Sequence, residues 1–370
     1  MSNSAITFNT SGLASATSPG LVGTGAQTFA GAKTFQDGLI PPSSMMFRNK
    51  LINGGFDIWQ RGTSQTSTGY GSDDRWFNLQ AGSTKTASRQ TFTLGQTDVP
   101  GNPTYFARTV AVLAGSPASS DYVLKSQRVE DVETFAGQTC TFSFWAKADA
   151  SKNIAVEFGQ YFGTGGSPSS SVTGLGVTTC ALTTSWQRFS ITVTLPSISG
   201  KTLGTNNDSY LDVRWWFSAG SDFNARTNSL GNQAGTFDVA NAQLESGSIA
   251  TPFEQRPIQA ELNLCQRYYE RWQAGDAYGR FCYAVGGGTT SAVIIYNYKV
   301  EKRTYLATLS TGGAFQAAVG TFTSMSMSPD GRSSSTAAID AVGTGWTAFQ
   351  AFWIRANNNA ATFVGFDAEL

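Results

Sequence analysis

Phe189-Ser190-Ile191-Thr192-Val193-Thr194-Leu195 is the stretch that decides the fold. Apolar and hydroxylic side chains alternate strictly, so one face can be buried while the other meets water, as in a half-buried antiparallel strand. Two further runs repeat the pattern. Cys140, Phe142, Phe144 and Ala146 share one face, and Leu211, Val213, Trp215 and Phe217 share another. Gly163-Thr164-Gly165-Gly166-Ser167-Pro168 and Gly204-Thr205-Asn206-Asn207-Asp208 punctuate the strands as loops. The expected fold is all-β. A β-sandwich over residues 48–256 is followed by a short connecting helix over 257–272 and a second, smaller C-terminal β-sandwich over 273–370.

The helix expectation rests on Pro257, suited to a first helical position, and on a heptad-like seam of Ile258, Leu262, Cys265, Tyr269 and Trp272. Such a seam suits either a three-fold axis or a plug at one end of a sandwich. In the last part, Asn357-Asn358-Asn359 reads as a hairpin turn before a terminal strand over 362–370. Residues 1–47 lack a core pattern and contain a short repeat, Gly25-Ala26-Gln27-Thr28-Phe29 followed by Gly31-Ala32-Lys33-Thr34-Phe35, before Pro41-Pro42. A hairpin that small cannot bury its two Phe residues alone. The segment therefore reads as one that packs against other copies or a partner, or as a flexible tail.

Composition narrows the function. The 370 residues include 25 Lys plus Arg and 25 Asp plus Glu, so no basic excess marks a nucleic-acid binder. Histidine is absent, which removes the commonest general base and the usual zinc ligand. Glycoside cleavage by paired carboxylates stays open. Glu130, Asp131 and Glu133 are the acidic cluster to weigh, but their spacing gives no cleft geometry, and the chain is read as non-enzymatic. The four cysteines are widely spaced and form no C-x-x-C pair. No apolar run approaches the roughly 18 residues of a membrane span, and no basic–apolar leader opens the sequence. The expectation is a protein that either stays in the cytoplasm where it is made or leaves by another route, such as incorporation into a particle.

Parity also places the large aromatics. With Phe142 and Phe144 inward, Trp145 points out; with Val213 and Trp215 inward, Trp216 points out beside Arg214; and Tyr161 shares the outer face of its run with Glu157. Trp145, Tyr161, Trp216 and Arg214 are the candidate glycan site, since flat rings meet sugar C–H groups while Arg orients hydroxyls. The competing reading covers these rings with a loop or a neighbouring subunit. Trp59, Trp76 and Trp186 are read as structural, with Trp186 plugging a sandwich end.

The stretch Arg48-Asn49-Lys50-Leu51-Ile52-Asn53-Gly54-Gly55-Phe56-Asp57-Ile58-Trp59-Gln60-Arg61-Gly62 resembles an opening common in phage tail-fibre and receptor-binding proteins. Asn53-Gly54-Gly55-Phe56-Asp57 is also similar to the first strand of calcium-containing jelly-roll carbohydrate-binding modules, and Phe237-Asp238-Val239-Ala240-Asn241-Ala242-Gln243-Leu244-Glu245 to their closing strand. Thr251-Pro252-Phe253-Glu254, Cys265-Gln266-Arg267-Tyr268-Tyr269-Glu270, Lys299-Val300-Glu301-Lys302-Arg303 and Phe366-Asp367-Ala368-Glu369-Leu370 again resemble fibre sequences. The resemblance implies a jelly-roll domain in a homotrimeric phage tail fibre of the virion. Residues 1–47 would attach to other tail or baseplate proteins, and the distal part would bind a host surface glycan, with neither nucleic-acid binding nor membrane insertion. It also implies a calcium site at Asp57 and Asn241, where a neutral amide stands at the modules' second acidic position and lowers the ligand charge. A purely structural virion component and a glycan-depolymerising tailspike are the alternatives.

Overall fold

A computed structural model of the protein describes residues 47–370, which form one compact unit. The expected attachment segment, with its Phe29 and Phe35 repeat, lies outside the described residues apart from Phe47. The chain is all-β with two β-sandwiches. In the first, β1 (Ser64–Gln65), β3 (Thr84–Thr91), β4 (Tyr105–Val112), β11 (Gly235–Ser246), β6 (Thr139–Ala148) and β9 (Gln187–Thr194) make a six-stranded sheet in that order. It faces a five-stranded sheet ordered β2 (Phe77–Ala81), β5 (Tyr122–Glu130), β10 (Tyr210–Ala219), β7 (Lys152–Tyr161) and β8 (Val172–Leu182). All pairings are antiparallel and most neighbours are distant in sequence, giving the crossing connections of a jelly roll.

The alternating runs supply the core between these sheets. Ile191 and Leu195 from one, Phe142 and Phe144 from the second, and Val213 and Trp215 from the third are buried in a single cluster. Trp215 is its centre, stacked on Trp76 at 5.0 Å, which in turn stacks on Phe56 at 5.1 Å. Cys140 and Cys180 are buried free thiols here, and burial pushes both up to about 12.

The Arg48–Gly62 stretch runs beside β11 and is built for close approach. Asn49 accepts from the backbone N–H groups of Leu51 and Leu244 and donates to Ala242 O. Asn53, in a left-handed conformation (φ 57°), binds Ile58 and Asp74 main chain through its side chain. A Cβ at Gly54 would lie 2.1 Å from Ala242 O, so only glycine fits.

The second sandwich pairs a three-stranded sheet, β12 (Tyr269–Gln273), β20 (Phe363–Asp367) and β15 (Thr308–Gly312), with a six-stranded one. The latter is ordered β16 (Phe315–Ala317), β19 (Ala351–Ala356), β13 (Arg280–Gly286), β14 (Ser291–Asn297), β18 (Thr336–Thr344) and β17 (Thr321–Met327). Two expectations are corrected here. The connecting helix α2 spans only Ile258–Gln266; Tyr269 and Trp272 belong to β12, paired to β20. Aromatic, β-favouring residues gain more from that ladder than from a further helical turn. Ile258, the first residue of the supposed seam, is 60% exposed. The terminal hairpin is also absent, because β19 and β20 lie in different sheets. The chain turns at Asn358 (φ 51°) to change layers rather than to pair with itself. Neither α2 nor the four-residue α1 (Asn224–Thr227) is long and apolar enough to cross a membrane.

Arginines join the sandwiches. Arg75, 1% exposed, pairs with Glu369 and lies 3.4 Å from the Tyr268 ring centre. Arg61 pairs with Asp367 at 2.8 Å and with Glu369 at 3.2 Å. Arg128 donates to Leu370 O, and Arg303 to Ala368 O and Asn207 O. Beside them, Asp74 accepts from the Gln60 N–H at 2.9 Å. Burial pushes its carboxyl up to about 6, against the opposing pull of Arg61. The folded protein thus retains a proton that the unfolded chain releases near its ordinary value. Asp74's contribution to stability is present near pH 4 and is lost as pH rises through about 6. Urea melts across pH 4–8 should show that slope, and the Asp74→Asn variant should have a flatter profile.

Candidate functional site

The four predicted glycan residues do not form one cluster. Trp145 lies on β6, whereas Tyr161, Arg214 and Trp216 lie on β7 and β10 of the opposite sheet, so the sandwich core stands between them. Trp216 does point away from that core, but it is buried, 1% exposed. A lid made of the turn Ser221–Phe223 and α1 covers it, with Phe223 5.0 Å and Tyr122 5.8 Å from its ring. The lid is held by Glu157, which is fully buried and accepts from the Trp216 indole at 2.9 Å, from Arg226 at 2.7 and 3.0 Å, and from the Gly174 N–H at 2.7 Å. A buried indole and carboxylate with all partners internal cannot offer them to a ligand. Trp216 is therefore structural, as the loop-covered reading allowed. Arg214 is likewise committed, to Asp212 and, at 2.8 Å, to the Tyr161 hydroxyl. Tyr161 stacks on Tyr210 at 4.6 Å.

Trp145 has different company. It is half-buried on the outer face of β6, opposite Arg188 on β9 and Ala240 on β11. One step along the face, Arg108 on β4 meets Asp238 on β11 in a bidentate pair at 2.8 and 2.9 Å. Lys147 on β6 approaches the same carboxylate at 3.9 Å. The hydrogen bonds Arg108 donates to Asp238 raise its guanidinium above its ordinary value. Trp186, expected to plug a sandwich end, lies instead on this outer face. Its ring is 5.3 Å from both Phe92 and Phe106, with the Lys147 ammonium over it at 5.2 Å. The face therefore presents two half-buried indoles beside a fixed polar row. Arg188 reaches out of it to Ala250 O and, at 2.6 Å, Thr251 O, tying down the strap that follows β11. Parity carried the missed signal: Trp186 and Arg188 alternate with Phe189, so an inward Phe189 sends both outward.

Asp57 and Asn241, the expected calcium pair, do come together. They line a cleft of about 640 Å³ with Tyr105, Phe253, Arg256 and Glu261. Asn241 sits at the β11 bulge with φ 47° and donates to Pro100 O. Although Asp57 is accessible, partial withdrawal from water and repulsion from Glu261 push its carboxyl up to about 6. Among the described residues no three His, Cys, Asp or Glu side chains gather as metal ligands. One carboxylate and one amide are a poor donor set for a hard cation, and Glu261 is already paired with Arg256. Of the acidic cluster, Glu130 is held below its usual range: Arg267 and Tyr268 bind it and outweigh the effect of burial.

No family model matches the sequence, and no curated protein does. Among solved structures, a CBM4 structure is 19% identical, matched over 53% of this chain and 98% of its own, with a TM-score of 0.29. The family 11 carbohydrate-binding module from Clostridium thermocellum, in complex with a mixed-linked tetrasaccharide, is 11% identical over 51% and 98% at 0.30. The enzymatically active domain of tailspike protein 4 from bacteriophage CBA120 is 11% identical at 0.32, matched over 54% of this chain but only 22% of its own.

Proposed function

We propose that this chain is a non-catalytic attachment subunit of a phage tail that binds a host surface glycan on the outer face of its first six-stranded sheet. The observation that carries the reading is the placement of Trp145 and Trp186 on one face, beside Arg108, Asp238, Lys147 and Arg188. Indole rings give apolar platforms for sugar faces, and the polar row gives fixed hydrogen-bonding directions. The tail-fibre setting is supported by the ordered sequence resemblances from Arg48 to Leu370, which also imply a trimer. The non-catalytic reading is supported by the carboxylates Glu130, Glu157 and Asp238, each engaged by an arginine.

Three cations against one carboxylate give this face a positive excess, so acidic glycans are the expected ligands. Their affinity should fall as salt is added. Trp145→Ala and Trp186→Ala should each weaken glycan binding about ten-fold or more, by analogy with aromatic anchors elsewhere, with little change in thermal stability. Trp216→Ala should do the reverse. Glycan arrays followed by titration calorimetry measure the first, and thermal melts the second. Undiminished binding by the Trp145 and Trp186 variants would overturn the site. Release of reducing ends from host polysaccharide would overturn the non-catalytic role.

A further inference from the structure

In the second sandwich, the outer face of the six-stranded sheet is apolar where solvent should favour polar residues. The inward positions of its strands, including Ala284, Ile294, Ile339 and Ile354, fill the core. The alternate positions point outward: Tyr283 and Val285 on β13, Val293 and Ile295 on β14, and Val342 on β18, all between 42% and 70% exposed. Register gathers them. Val285 pairs with Val293, Tyr283 with Trp353 on β19, and Ser291 with Val342. Contiguous exposed apolar surface of this kind marks an interaction site more often than a bare monomer face.

Charge says what covers it. Arg280 and Arg355 are register partners on the β19 side of the patch. Asp340, opposite Val293, lies on the β18 side. Among the described residues none of the three has an ion-pair partner. The two guanidiniums rest over Trp353, at 5.5 and 4.5 Å. A face that is basic at one edge, acidic at the other and apolar between is complementary to itself. A two-fold axis lying in the plane of the face turns each acidic edge onto the other copy's basic edge. We propose that this face is an isologous interface between two copies of this chain, with Tyr283, Val293 and Ile295 at its centre and Asp340 of each copy meeting Arg280 and Arg355 of the other.

Sedimentation velocity on the full chain at micromolar concentrations tests this. The expected result is a reversible association through pairs of copies, or pairs of trimers, that Ile295→Lys weakens at least about ten-fold without changing the circular dichroism or melting temperature. Asp340→Arg, an exposed-face change that spares the core, should weaken it similarly, by setting like charges opposite each other. Adding Arg280→Asp and Arg355→Asp to that variant should restore association. A chain that stays a monomer, or a mass that neither Ile295→Lys nor Asp340→Arg changes, including a three-chain mass, would overturn the proposal. So would failure of the charge reversal to restore association.

Discussion

Replacing Glu369 with alanine is expected to cost about 3–5 kcal/mol, the usual range when one partner of a buried ion pair is removed. Its carboxylate is 5% exposed and serves two guanidiniums, Arg75 and Arg61, which are themselves withdrawn from water. Arg61 keeps Asp367 and the Tyr269 ring, but among the described residues Arg75 keeps only the Arg128 carbonyl and the Tyr268 ring. The loss therefore falls on Arg75, in the first sandwich, although the deleted group sits in the second. Calorimetry should show one unfolding transition becoming two. Hydrogen exchange should rise in β12 and β20, whose ladder abuts this junction. A single transition at an unchanged temperature would show that Glu369 does not couple the sandwiches.

Glu157→Ala is expected to be of similar size, about 3–5 kcal/mol, for a different reason. Here the carboxylate is the hub of a lid. Its loss leaves the buried Trp216 indole, and the partly exposed Gly174 N–H and Arg226 guanidinium, without their acceptor. The lid should open around 221–231, while the sheets beneath keep their core. Trp216→Phe is the milder control, forfeiting one hydrogen bond worth about 1–2 kcal/mol. Urea melts give the energies, and quenching of tryptophan fluorescence reports exposure of Trp216. If glycan binding survives Glu157→Ala at permissive temperature, the lid and the proposed ligand face are independent, as their positions on opposite sheets require.

Strand alternation made the first sandwich legible, since a period of two fixes which side chains enter the core whatever the connections are. It was weaker at β10, where Asp212 and Trp216 are buried on the face that parity sends to solvent. Alternation says which way a side chain points and nothing about what later covers it. The lid comes from residues 221–231, whose sequence carries only turn signals. The same limit split the candidate site: parity put Trp145 and Trp216 outside, but sheet membership depends on long-range order that local pattern does not encode. Trp186 shows the converse error, a residue whose own parity was informative but which lies just outside a regular strand. The helix was overextended because Tyr269 and Trp272 fit a heptad as well as they fit a strand, and only the distant β20 decides between them.

The arginine junction has a mechanical consequence. Its bonds run from Arg61, Arg75 and Arg128 in one sandwich to Asp367, the last residue of β20 in the other, and to Glu369 and Leu370 just beyond it. β20 is the middle strand of its sheet, flanked by β12 and β15. A tug on either sandwich is thus delivered to a strand hydrogen-bonded along both edges, where many bonds share the load and must yield together rather than peel one at a time.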